Sequence, residues 1–138
     1  MGRIVTPVTI TNALDSTKVV HCDALVDTGT TGMILPVAWK ERLGTLTSLR
    51  VVEMETADQR IVRGEVCGPV RIHVEGFDEI FDEVVFLDLE PDDGRYEPLV
   101  GYVVLEKSRA AVDMVGHRLV PVKHLDLKVV RMYSSDAL

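Results

Sequence analysis

The stretch Ala24-Leu25-Val26-Asp27-Thr28-Gly29-Thr30-Thr31-Gly32, running on into Met33-Ile34-Leu35-Pro36, decides how the rest of this 138-residue chain is read. An apolar run drives up to one carboxylate, the chain turns through small residues and glycines, and a second apolar run leads away. Asp is poorly suited to a strand interior, so Asp27 is expected where a strand ends and the backbone turns. Gly29 and Gly32 permit positive φ and let another backbone approach closely. A lone acid at such a junction is a candidate catalytic carboxylate. The bland alternative is a turn aspartate that caps its own loop.

The surrounding composition narrows the class. With 46% hydrophobic and 27% charged residues, the chain has the balance of a soluble globular protein. Its length suits one domain able to bury a core without disulfides or metal. That domain is expected over 1–138, with a core at about 3–122 and a C-terminal extension at 123–138. A net charge of −7 argues against a nucleic-acid partner, because no basic patch stands out to neutralise phosphates. Arg60, Arg63 and Arg71 are spread along strand-like sequence among acids, as on a solvated face. The N-terminus has no signal-peptide apolar region, and no apolar run nears the roughly 20 residues that cross a bilayer. No membrane partner and a cytoplasmic location are therefore expected. Cys22 and Cys67 lie far apart and read as buried, reduced thiols rather than a disulfide framework.

Strand chemistry dominates the rest. Residues 4–11 alternate β-branched side chains around Pro7, which suits an edge strand or a strand start. A turn at 12–17 and a strand at 18–26 complete an opening hairpin that delivers Asp27. Residues 36–44 form a short helix, with Pro36 in its first position and Gly44 just past its end. Trp39 and Leu43, four apart, share its core-facing side. Residues 46–74 make a longer hairpin interrupted at 56–60, its returning strand broken or bulged at Gly68-Pro69. Strand 79–89, a polar loop at 90–98, Leu99-Val100-Gly101 with a short helix, and a hairpin over 109–122 follow. A last apolar stretch at 125–132 suits an edge strand, before a frayed end. Many strands and little helix predict an all-β fold: a small closed barrel with one or two short helices.

In this order the motifs resemble the retropepsin-like aspartic proteases, specifically the small single-domain type found in prokaryotes. Ala24 to Thr30 is similar to that family's hydrophobic-Asp-Thr-Gly-Ala/Ser/Thr turn. Thr56-Ala57-Asp58-Gln59-Arg60 is similar to its flap tip. Leu99-Val100-Gly101 with Val104-Leu105 resembles the segment packed behind the active-site loop. Ala111-Val112-Asp113 and Arg118 to Pro121 resemble its closing hairpin. The resemblance implies Asp27 as catalytic, Thr28, Gly29 and Thr30 as the active-site loop, and Thr56, Ala57, Asp58 and Gln59 as flap and substrate contacts. Val100 and Gly101 are implied as support. It also implies a homodimer acting on peptide or protein substrates, with no cofactor and no metal.

Peptide hydrolysis by this route needs two carboxylates sharing one proton. This chain has one Asp-Thr-Gly, and Asp113 reads as a strand end, so a C2 partner is expected to supply the second Asp27. Thr28 is then expected to bond across the axis. Retroviral members carry an acid and an arginine where this chain has Thr31 and Tyr102; both are replaced together, leaving no orphan charge. A non-catalytic dimerisation or peptide-binding module on the same fold is the alternative.

Other chemistries fit less well. Asp27 to Gly32 also resembles the phosphate-binding turn of actin-like ATPases, which need two α/β domains that this chain is too short to hold. His21, Cys22 and Asp23 alternate in direction along a strand, and His73, His117 and His124 lack ligand spacing. Asp92-Asp93 is a polar loop, without the regular acids of a calcium site.

Overall fold

The computed structural model describes residues 3–55 and 58–122. β-Branched and apolar residues at alternating positions produce nine strands: β1 Val5–Asn12, β2 Asp15–Val26, β3 Met33–Pro36, β4 Thr47–Glu55, β5 Ile61–Val74, β6 Glu79–Leu87, β7 Leu99–Val100, β8 Ala110–Asp113 and β9 Arg118–Pro121. A 3₁₀ helix covers Val37–Leu43, and one α-helix, α1, covers Tyr102–Lys107. The first seven strands form one sheet in the order β1-β2-β7-β3-β6-β5-β4. A further pairing of β1 with β5 closes six of them into a ring, and β4 extends outside it as the partner of β5. β8 and β9 form a separate hairpin. The fold is all-β.

One row of Cα partners explains the core. Val26, Val100, Met33, Val84 and Cys67 sit side by side across five strands, so their side chains share a face. They pack with Ile10, Ala24, Phe86 and Val104 into one cluster. Each such large aliphatic side chain contributes about 1.5–3 kcal/mol by leaving water.

Three details refine or correct expectation. β1 is not an edge strand, since it pairs on both sides from Val8 onward, but Pro7 itself lies near its start, where only β2 is paired. The Pro7 carbonyl accepts the Glu75 N–H at 3.0 Å, so its imide nitrogen faces β5 just beyond the last paired residue, Val74. No ladder bond is lost. Pro36 ends β3 instead of starting the helix, and the helix is 3₁₀, where residues three apart stack. Arg42 therefore lies over the Trp39 ring, at 5.1 Å, although Trp39 and Leu43 both still reach the core. The turn after β1 is also tighter than 12–17. Asn12 is buried, and its Nδ2 donates to the Leu43 and Thr45 carbonyls at 2.8 and 2.9 Å. The register of β5 shifts between Cys67 and Val70, as expected around Gly68-Pro69. The stretch at 125–132 and the extension at 123–138 lie outside the described residues.

Candidate active site

Asp27 follows directly on β2, and its N–H still donates to the Val100 carbonyl at 3.0 Å. The backbone then turns. Thr30 brings its N–H and its hydroxyl to the Asp27 carbonyl, at 3.2 and 3.0 Å. The Gly29 N–H donates to Asp27 Oδ1 at 2.9 Å. A Cβ on Gly29 would stand 3.2 Å from that same oxygen, so glycine supplies a donor without crowding the carboxylate. Asp27 thus caps its own turn, as the bland reading has it, while the carboxylate stays only partly buried. Thr28 is exposed.

The turn is fastened from behind by the start of α1. Gly101, Tyr102 and Val103 donate their N–H groups to the carbonyls of Gly32, Thr30 and Thr31, at 3.0, 2.9 and 2.9 Å. A Cβ on Gly101 would fall 2.5 Å from the Thr31 carbonyl carbon and oxygen. Only glycine permits this approach. Val100, on the core face, completes the contact.

Side chains alternate along a strand, so Leu25 shares the face of Asp27 and not that of Val26. Its row runs Val5, Leu25, Leu99, Ile34, Val85, Val66. Two residues further along, Val52 on β4 faces Gly64, and two beyond these Val62 and its partner Met54 carry the apolar strip into the β4–β5 hairpin. The opposite hairpin face is mixed, with Glu53, Glu55 and Arg63 exposed beside the equally exposed Val51 and Ile61. A carboxylate therefore stands at one end of an apolar strip whose other end is a projecting hairpin. Asp58 and Gln59 are at that hairpin's tip, on an element distinct from the turn; Asp58 pairs with Arg60 at 3.0 Å and Gln59 has φ +64°. Thr56 and Ala57 lie outside the described residues. Ile34 and Leu99 were read in the sequence only as parts of their motifs and Val85 only as part of a strand, because their place beside Asp27 depends on cross-strand register.

Among the described residues, the acids Asp23 and Asp113 do not complement Asp27. Asp23 lies four residues back on the same face, roughly 13 Å along the strand. Asp113 Oδ1 accepts the Val115 and Gly116 N–H groups at 3.1 and 2.9 Å, and the Arg118 guanidinium faces its Oδ2. These donors hold Asp113 below its ordinary carboxylate value, the Gly116 bond foremost. It is a turn cap. Burial pushes the Cys22 thiol up to about 12 and the Cys67 thiol up to about 11, which keeps both protonated and poor nucleophiles. Among the described residues no group of three or more His, Cys, Asp or Glu side chains is placed to hold a metal ion. Among the same residues, no helix is long and apolar enough to cross a membrane.

The ring of strands, with an aspartate turn directly after β2, has a retropepsin-like fold. Among solved structures, the chain is similar to the EIAV protease complexed with the inhibitor HBY-793, a retroviral protease. The TM-score is 0.56 at 20% identity, covering 77% of this chain and 88% of that one. At this identity the likeness establishes the fold. No family model and no curated protein sequence matches the chain.

Proposed function

We propose that the protein is an aspartic endopeptidase that acts as a homodimer, each copy supplying one Asp27. The observation that carries this is the placement of Asp27: a carboxylate at the end of an apolar strip, held by the Gly29 N–H and braced by α1. One carboxylate cannot be both base and acid. Two facing copies share one proton, because like charges a few ångströms apart do not both ionise cheaply. The ionised carboxylate takes a proton from water, which attacks the scissile carbonyl. The protonated carboxyl polarises that carbonyl and later supplies the proton that the departing amine needs. The intermediate is tetrahedral and no acyl-enzyme forms.

Leu25, Leu99 and Val85, all partly exposed, favour apolar side chains beside the scissile bond. The β4–β5 hairpin, apolar on the same face, is the element that closes over an extended peptide. The unpaired, protonated thiols of Cys22 and Cys67 accord with a cytoplasmic setting.

A peptide-library digest with wild type and Asp27→Asn, run beside sedimentation, tests the reading. Cleavage by the wild type that the substitution abolishes supports it; cleavage that survives Asp27→Asn overturns it. A second reading, a peptide-binding module without turnover, draws on the hairpin tip, where Gln59 and not glycine adopts the left-handed conformation. A wild-type dimer that binds peptides and cleaves none would establish that reading instead.

A further inference from the structure

Arg3 and Glu97 are 94 residues apart in sequence, yet their side chains form an ion pair. Arg3 precedes β1 and Glu97 precedes β7, and these strands flank β2 on its two sides. Arg3 is two residues from Val5, and Glu97 two from Leu99, so both belong to the face of Leu25 and Asp27. The pair strides across β2 on the face that carries the candidate catalytic carboxylate.

The register places Arg3 closer still. Val5 faces Leu25, and the Ile4 carbonyl accepts the Val26 N–H at 2.8 Å. One step further out, Arg3 falls opposite Asp27, at a non-hydrogen-bonded position where facing Cα atoms stand about 4.5 Å apart. Leu99 faces Leu25 on a parallel strand, so Glu97 lies level with Asp23, and the ion pair draws the Arg3 side chain back along β2, away from Asp27. The Pro98 carbonyl, which accepts the Leu25 N–H at 2.8 Å, fixes the residue after Glu97 to β2 itself.

We propose that Glu97 is a positioning residue: it holds the Arg3 guanidinium off Asp27 and leaves the Asp27 pair free to share a proton. The role rests on the aspartic protease reading. A cation beside the pair would favour two ionised carboxylates, which is the inactive form. The remaining titratable groups nearby are Asp23 and His21 on the same face of β2, Cys22, Arg42, Asp92, Arg95 and Tyr96 in the adjoining groove, and Tyr102 at the start of α1. Asp58 and Arg60 at the hairpin tip are occupied with each other. Arg3 is the cation placed opposite Asp27. With side chains 61% and 43% exposed, Arg3 and Glu97 are reachable by solvent and able to exchange partners.

The test compares wild type, Glu97→Gln, Arg3→Gln and the double variant. Two readouts are the ¹³C titration of the Asp27 carboxyl and the pH profile of kcat/KM. In Glu97→Gln both the Asp27 midpoint and the alkaline limb move to lower pH by roughly one unit or more, as expected for an opposite charge within about 4–6 Å. The double variant returns both to the wild-type position, since the released guanidinium is gone. A Glu97→Gln curve that superimposes on wild type overturns the proposal, as does a shift that persists in the double variant. The titration reads the role without turnover. A wild type that cleaves no peptide, with the Asp27 midpoints moving as stated, removes the protease reading and leaves the Arg3–Glu97 arrangement standing.

Discussion

At the scale of single residues, the molecule's tightest demand falls on Gly101 and not on Asp27. A methyl group there would overlap the Thr31 carbonyl, which is backbone and has nowhere to go. Gly101→Ala should cost about 1–3 kcal/mol, the range for overpacking a filled site, seen as a lower melting temperature. The same strain pushes the Asp27 turn, so the proposed peptide cleavage should fall by more than stability accounts for. The two thiols make a second prediction. With Cys22 held up at about 12 by burial and by the Asp23 charge, and Cys67 up at about 11, iodoacetamide at neutral pH should label neither until denaturant opens the fold. Rapid labelling of native protein would show that these thiols are not shielded as described. Asp27, Gly29 and Gly101 were legible in the sequence because each needs a residue type that few positions tolerate. Arg3 and Glu97 were not, because nothing local links residues 94 apart; only the order of strands around β2 brings them together.

At the scale of elements, the base of the β4–β5 hairpin is tied to the 3₁₀ helix. The Lys40 ammonium and the Ser48 hydroxyl both donate to the Glu65 carboxylate, the latter at 3.0 Å. The Lys40 bond holds Glu65 below its ordinary value of 4.5, and the same bond raises Lys40 above 10.5. A depressed carboxyl stabilises the fold fully above its unfolded value and ceases to do so as pH falls through the folded one. The raised ammonium contributes below 10.5 and loses that contribution as pH climbs through its folded value. Glu65→Gln should therefore melt below wild type at pH 7, with a gap that closes as pH drops beneath about 4.5. A gap independent of pH would mean that shape and not charge matters at this joint. The hairpin itself was readable from two apolar runs around a polar tip. The 3₁₀ character of the helix and the interior place of β1 were not, since both follow from what packs beyond these segments: the Asn12 side chain that takes the Leu43 and Thr45 carbonyls, and the returning strand β5.

At the scale of the whole molecule, alternation along each strand announced an all-β fold, but no local signal announced the β1–β5 pairing that closes the ring. Closure is a long-range event, decided when Ile10 and Ile72 meet as Cα partners and are buried together. The next level of assembly carries the last prediction. Each copy has a net charge of −7, so two copies repel at distance. In the proposed homodimer, a contact that brings two Asp27 turns together against this repulsion would draw on short-range apolar burial and backbone bonds, which salt hardly weakens. Screening shortens the reach of the repulsion to about 10 Å at 0.1 M ionic strength and about 3 Å at 1 M. Added salt should thus tighten the dimer, opposite to what an interface held by complementary charges would do. Sedimentation across a salt series should show the dimer fraction rising, and the melting temperature should climb with protein concentration, because mass action favours the associated fold. Salt that dissolves the dimer would place charge pairs at its centre, contrary to the apolar reading. A monomer at every concentration and salt would leave each Asp27 without its counterpart, and with it the hydrolysis of peptide bonds by this chain.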